Sequence, residues 1–411
     1  MAGLDGARVR KDFPIFEREL NDQRLVYLDS AATSQKPRHV IDTMQRFLET
    51  SYAPTHRSAY TLASEATEAY EMARLKVRKF VHANSETEII FTKNATEALN
   101  LVAYSWGRAN LREGDIVVVT QMEHHANIVP WHMLAAERGI VLRWVPLTDD
   151  GQLDLTDLDQ TLEGARAFAF TAMSNVLGTI NPVRHLSDAA HNHGALAIVD
   201  GCQWVPHLPT DVQAMGADFL AFSAHKMCGP TGVGVLWGRE ELLEAMPPFL
   251  GGGQMISDVR LDGFTPAPLP AKFEAGTPPI TEVVGLGAAV DYLTELGMAN
   301  VRAHEMSVTS YAMRVLDERL GDQLTIHGPR NIEVRGGILS LALPGVHPHD
   351  VSQVLDQTNV CVRAGHHCAK PLMRQLGVGA TARASFYVYN DEADADALAD
   401  GLVAATDFFS P

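Results

Sequence analysis

Between residues 88 and 237 the chain repeats one alternation, a short unbroken apolar run followed by a longer amphipathic stretch. The runs are 88–91, 116–120, 165–173, 195–199, 219–222 and 233–237. Segments such as ATEALNLVAYSWGRAN, IVPWHMLAAERG and VRHLSDAAHNHG lie between them. Two of these close on a glycine, Gly139 and Gly194, as helices commonly do. A run without polar alternation suits a strand covered on both faces, and helices between such strands supply the cover. The expected fold class is therefore α/β, a large domain with a mostly parallel sheet flanked by helices.

The C-terminal part reads differently. GGILSLALPG is expected as a strand, HDVSQVLDQTN as a helix, and VCVRAG and ARASFYVY as strands. A closing helix follows, capped by Asn390, with Asp391, Glu392, Asp394 and Asp396 on the positive end of its dipole. Together these make a smaller α+β domain. The change is placed near residue 295, after EVVGLGAAVDYLTELG. The large domain then spans 26–295, and the small one combines 1–25 with 296–411.

Composition narrows the function classes. Lys plus Arg is 33 against 50 for Asp plus Glu, a formal charge of −17. That argues against a dominant attraction to nucleic acid or an anionic membrane, and it also serves solubility. The four cysteines form no CxxC pair, so reduced thiols and a cytoplasmic setting are expected. The N-terminus has no apolar core of a signal peptide, and no run reaches the roughly 18 apolar residues of a membrane span.

In an open α/β sheet, ligands bind outside the carboxyl ends of the strands. Here four runs end in chemistry-bearing groups: Glu123-His124-His125, Ser174-Asn175, Asp200-Gly201-Cys202-Gln203 and Ser223-Ala224-His225-Lys226. If these strands are parallel, all four sets face one crevice. A lysine and a carboxylate on neighbouring strand ends suit pyridoxal 5'-phosphate, which needs an amine to hold it and an acidic partner for its ring nitrogen. Thr96 opens a helix after the run 88–91 and offers amides and a hydroxyl for a phosphate, with Ser223 and His225 as further donors. Taken singly, an aspartate at a strand end is as readily a turn former, and a lysine in a turn a solvated one. His124-His125 lacks a cysteine or carboxylate at a usual ligand spacing, so no metal site is expected. GPTGVG lacks the Walker lysine and reads as a turn, and GxGxxG is absent.

In the small domain, Cys368 sits within Arg363-Ala364-Gly365-His366-His367-Cys368-Ala369-Lys370-Pro371. Basic neighbours are the setting in which thiols become nucleophiles. Cys202, Cys228 and Cys361 have apolar or tight-turn surroundings and are expected to be inert.

These motifs, together with YLDSAATSQKP, EHHANIVPW, DGCQ, SAHKMCGPTGVG, FEAGTP, RAGHHCAKPLM and RASFYVYN, run nearly end to end. In that order the chain resembles the SufS-type (group II) cysteine desulfurases, class V, fold-type I pyridoxal phosphate enzymes. The resemblance implies sulfur removal from L-cysteine, giving L-alanine and a persulfide on Cys368. A SufE- or SufU-like acceptor would take that sulfur for iron–sulfur cluster assembly. A selenocysteine lyase is the alternative within the class. The resemblance also implies that Lys226 holds the cofactor and moves protons, that Asp200 pairs with the ring nitrogen, that His124 stacks on the ring and that Gln203 bonds its hydroxyl. Ala95, Thr96, Ser223 and His225 would bind the phosphate, joined by Thr277 from the second subunit of a homodimer. Asn175 and Arg383 would hold the substrate carboxylate, with His56 and Arg57 reaching toward the site. Three departures stand out: Cys202 where alanine is common, THRSAYTL near the site entrance, and Lys370 where glutamine is common.

Overall fold

A computed structural model describes residues 4–18 and 23–409. Its central element is a seven-stranded sheet built from β1 (Ile89–Thr92), β2 (Ile116–Thr120), β3 (Val141–Val145), β4 (Ala165–Thr171), β5 (Leu196–Asp200), β6 (Phe219–Ser223) and β7 (Gly234–Gly238). The order across the sheet is β1-β7-β6-β5-β4-β2-β3. Strands β3, β2, β4, β5 and β6 pair in parallel, and β7 runs antiparallel to both of its neighbours. The expected α/β class is what is found.

The apolar runs are strands because both faces are covered. Val118, Phe168, Phe170, Val199 and Phe222 point into one core with the helices Thr61–Phe80 and Ile280–Leu296. Val117, Val119, Ala167, Ala169, Ile198 and Ala221 point into the other, against Ala95–Leu101 and Val129–Arg138. Helix Ile280–Leu296 is apolar nearly all round and packs against two others. A Cβ on its Gly287 would come within 2.9 Å of the Ala73 Cβ, so glycine is what lets these helices meet closely. Strand β3 escaped the sequence reading. As an edge strand it leaves Val141 half exposed and carries Arg143, so it presents no clean apolar run.

The smaller core lies on an antiparallel sheet of β8 (Thr325–His327), β9 (Ile338–Ala342), β10 (Arg363–Gly365) and β11 (Thr381–Ser385), in the order β8-β9-β11-β10. Helices Met298–Leu320, Pro348–Asp356 and Glu392–Phe409 cover it. The last helix is capped by Asp391, whose Oδ1 accepts the Asp394 amide at 3.2 Å, and not by Asn390. Asn390 turns back instead and accepts the Tyr387 amide at 2.8 Å. Asp394 is buried, with Arg24 at 2.9 Å, and so does more than decorate a dipole. The N-terminal segment crosses between the two cores: Val9 and Phe13 join the main one, Val26 and Leu28 the smaller. Val26 and Tyr27 pair in parallel with Val360 and Cys361. Among the described residues no helix is long and apolar enough to cross a membrane.

Candidate active site

The carboxyl ends of β2, β4, β5 and β6 open onto one cavity of about 290 Å³. Its lining combines both parts of the molecule. Ala95, Thr96, His124, Asn175, Asp200, Cys202, Gln203, Ser223, His225 and Lys226 come from the main sheet, and Arg363, His367, Cys368 and Arg383 from the smaller domain. Thus most of the residues singled out in the sequence converge. Three do not. Thr277 lies in a separate cleft with Lys93 and Glu97, and His56 and Arg57 lie in another with Glu71, Arg74 and Gln254. His56 is held there by Glu71 at 2.8 Å.

The floor is built from strand ends. Asp200 closes β5, and its Oδ1 accepts the Cys202 amide at 2.9 Å, which turns the chain sharply under the cavity. Gln203 donates to the Ala31 carbonyl at 2.7 Å, which leaves its Oε1 buried without a partner among the described residues. At the rim, the helix Ala95–Leu101 begins with Asn94, whose side chain caps the Glu97 amide at 3.0 Å. Ser223 accepts the Ala95 amide at 2.9 Å, so β6 and this helix start are tied together. Gly234 of β7 backs the same turn: a Cβ there would fall 2.5 Å from the Asn94 Cα. Only glycine permits that approach.

Lys226 ends a single helical turn after β6. The preceding His225 carbonyl is clasped by the Ser34 amide at 2.9 Å, the Thr33 hydroxyl at 3.0 Å and the Lys36 amine at 3.1 Å. His124 accepts the Ala126 amide on Nδ1 at 3.0 Å, which places the proton of the neutral ring on Nε2. Burial, and then the positive charge of Lys226, hold the His124 pKa down to about 4. Burial with Lys226 does the same to His225, also about 4.

Glu123, named in the sequence only as part of a strand end and given no role of its own, anchors this wall. It is fully buried, takes the Thr171 amide at 2.8 Å and the Asn127 amide group at 2.7 Å, and burial pushes its pKa up to about 8. His125 was also missed as a separate contributor. Its amide donates to the Cys368 carbonyl at 2.7 Å, and its Nε2 accepts the Lys370 amide at 3.0 Å. It therefore fastens the cysteine loop to the main sheet. His367 and Cys368 both adopt positive φ, 50° and 54°, a conformation costly for side-chain-bearing residues and held here by those bonds. His367 is buried against Thr381, and burial followed by the Arg383 charge lowers its pKa to about 3. Of the four thiols, Cys368 alone is exposed. Burial raises the pKa of Cys202 well above the usual thiol range, and that of Cys228 to about 12.

These histidines predict an acid-labile apo protein. In an unfolded chain each titrates near 6.5. Depressed in the folded state, His124, His225 and His367 give stability that is present above about pH 6.5 and lost as the pH falls toward 4. Glu123, raised when folded, works the other way between about pH 4.5 and 8. Unfolding between pH 5 and 6 is thus expected to take up about two protons. Calorimetry across buffers of different ionisation heat measures this directly, and a melting temperature flat over that range would contradict it.

The donor set fits pyridoxal phosphate. An amine, a carboxylate, an imidazole and the start of the helix Ala95–Leu101, with the Thr96 hydroxyl, surround one cavity. Among the described residues the buried Gln203 Oε1 and Arg383 Nε have no partner, which suits polar groups of a ligand. The known proteins agree. Residues 26–398 match the family model described as aminotransferase class-V. A probable cysteine desulfurase of Streptomyces coelicolor is 52% identical, covering 99% of this chain and 98% of its own. Another, of Halalkalibacterium halodurans, is 49% identical with 99% of each chain covered. Among solved structures, the apo cysteine desulfurase of Thermococcus onnurineus superposes with a TM-score of 0.93 at 38% identity, covering 98% of both chains. An S-sulfonic acid form of a cysteine desulfurase of Escherichia coli gives 0.91 at 38% identity, with 99% of both chains covered. The chain therefore belongs to the class-V aminotransferase family of pyridoxal phosphate enzymes.

Proposed function

We propose that the protein is a cysteine desulfurase, converting L-cysteine to L-alanine and leaving the sulfur as a persulfide on Cys368. The observation that carries this reading is an exposed thiol, on a loop fastened to the main sheet, lining the same cavity as Lys226 and Asp200. An aminotransferase has no use for that thiol.

Bound pyridoxal phosphate supplies an electron sink at the substrate's α-carbon. This chain's residues do the rest. Lys226 holds the cofactor and carries protons to and from the substrate carbons, while Asp200 pairs with the ring nitrogen. His124 would stack on the ring, and Gln203 would offer its Oε1 to the ring hydroxyl. Ala95, Thr96, Ser223 and His225 surround the phosphate. Arg383, with Asn175, takes the substrate carboxylate through its unpartnered Nε edge. The Cys368 sulfur then attacks the substrate sulfur. An S–S bond forms, the carbon–sulfur bond breaks with its electron pair passing to carbon, and protonation yields alanine.

The persulfide needs a recipient, and a SufE- or SufU-like acceptor for iron–sulfur cluster assembly in the cytoplasm is the proposed one. Thr277, with its cleft away from this cavity, is proposed to serve the partner subunit of a homodimer, and His56 and Arg57 to serve substrate access there. The test is alanine formation by the loaded enzyme. A burst of about one alanine per site, made continuous by added thiol, is expected. Steady turnover without thiol and without a burst would reject the persulfide step.

A further inference from the structure

Arg363 on β10 and Arg383 on β11 are direct cross-strand partners. Like charges in that register repel. Between them sits one carboxylate, Asp29. Arg363 grips it from the side, with Nε at 3.1 Å and Nη2 at 3.0 Å from Oδ2. Arg383 reaches its other oxygen, Oδ1, through Nη2 at 3.1 Å. Arg383 Nη1 donates to the Asn175 carbonyl at 2.9 Å, and its buried Nε has no partner among the described residues. Asp29 is itself fixed, because its backbone bridges to Ser385 at the end of β11 and its carboxylate is mostly covered. Both arginines line the cavity together with Cys368.

We propose that Asp29 is a positioning residue that ties Arg363 and Arg383 into one anion clamp beside Cys368 and sets its net charge at a single positive unit. That charge matches the lone carboxylate of an amino-acid substrate. Without Asp29 two adjacent guanidinium groups, one of them buried, would face the cavity uncompensated, and a dianion would be the better occupant. The side-on grip does the positioning: it holds Arg363 off the Arg383 Nε edge, where a ligand carboxylate can bond in a forked geometry. The substrate half of this statement rests on the desulfurase reading, whereas the clamp rests on the geometry alone.

The experiment uses the loaded enzyme with sulfate and formate as probes. Their affinities are read from protection of the exposed Cys368 against iodoacetamide. Asp29→Asn is expected to tighten sulfate relative to formate by about tenfold, the effect of one added charge at close range. It is also expected to raise KM for L-cysteine with kcat held within about twofold, the signature of lost uniform binding. The double variant Asp29→Asn, Arg363→Gln restores the charge count and should return the sulfate preference to the parental value, which a merely structural Asp29 would not do. Arg363→Gln alone should weaken sulfate by a similar factor and serves if Asp29→Asn does not fold. An unchanged sulfate preference in Asp29→Asn, or a double variant that fails to return it, overturns the clamp. If the parent protein forms no alanine from cysteine while the sulfate results come out as expected, the desulfurase reading falls and the clamp stands.

Discussion

A Cys368→Ala protein is expected to bind pyridoxal phosphate as the parent does and to form alanine from L-cysteine about a thousandfold more slowly. The two halves of that expectation have separate causes. Asp200, His124, Gln203, Ser223 and Lys226 belong to the main sheet, and none of their hydrogen bonds involves the Cys368 side chain. The loop is held by backbone bonds, His125 amide to Cys368 carbonyl and Lys370 amide to His125 Nε2, which alanine keeps. What alanine removes is the only exposed thiol among the described residues, and Cys202 is no substitute, since burial keeps it protonated. The measurement is single-turnover alanine release alongside the cofactor's visible absorption. An alanine burst of parental size would mean that the sulfur leaves by another route. A lost absorption band would mean that the loop, not the thiol, was at fault.

How much of this the sequence revealed depended on the range of the signal. The strand-end groups were legible because an apolar run and the polar residues after it are neighbours in the chain. Parallel pairing then brings Asn175, Asp200 and Lys226 to one edge without further information. The phosphate turn was legible at Thr96 but not at Gly234, which leaves room for Asn94, 140 positions away, where a Cβ would fall 2.5 Å from it. Asp29 was invisible for a similar reason. Within YLDSAATSQKP it reads as a turn former, and only the β10–β11 register shows that two arginines need it. Glu123 looked like one more polar residue beside two histidines. Its three donors come from Thr120, Asn127 and Thr171, the last on a different strand. Thr277, His56 and Arg57 came from family resemblance, and a single chain gives them no route into this cavity.

The second large effect concerns which amine holds the cofactor, because two lysines lie close to the same turn. Lys36 donates to the His225 carbonyl at 3.1 Å, and burial lowers its pKa to about 8, so its amine is a candidate on reactivity. Geometry decides otherwise. Lys36 is spent on the His225 and Ser34 carbonyls and does not line the cavity, whereas Lys226 does. A Lys226→Ala protein is therefore expected to lose the visible band of a lysine-bound cofactor, to release pyridoxal phosphate on dialysis, and to drop in turnover by about a thousandfold or more. Borohydride reduction of the parent should mark the peptide containing Lys226 and leave Lys36 unmarked. A second consequence follows from the charge. Lys226 is one of the causes that keep His124 near pKa 4, so its removal should move that imidazole upward toward the ordinary histidine range. NMR titration of His124 in the apo variant measures this independently of catalysis. A borohydride mark on Lys36, or an unmoved His124, would place the working amine elsewhere.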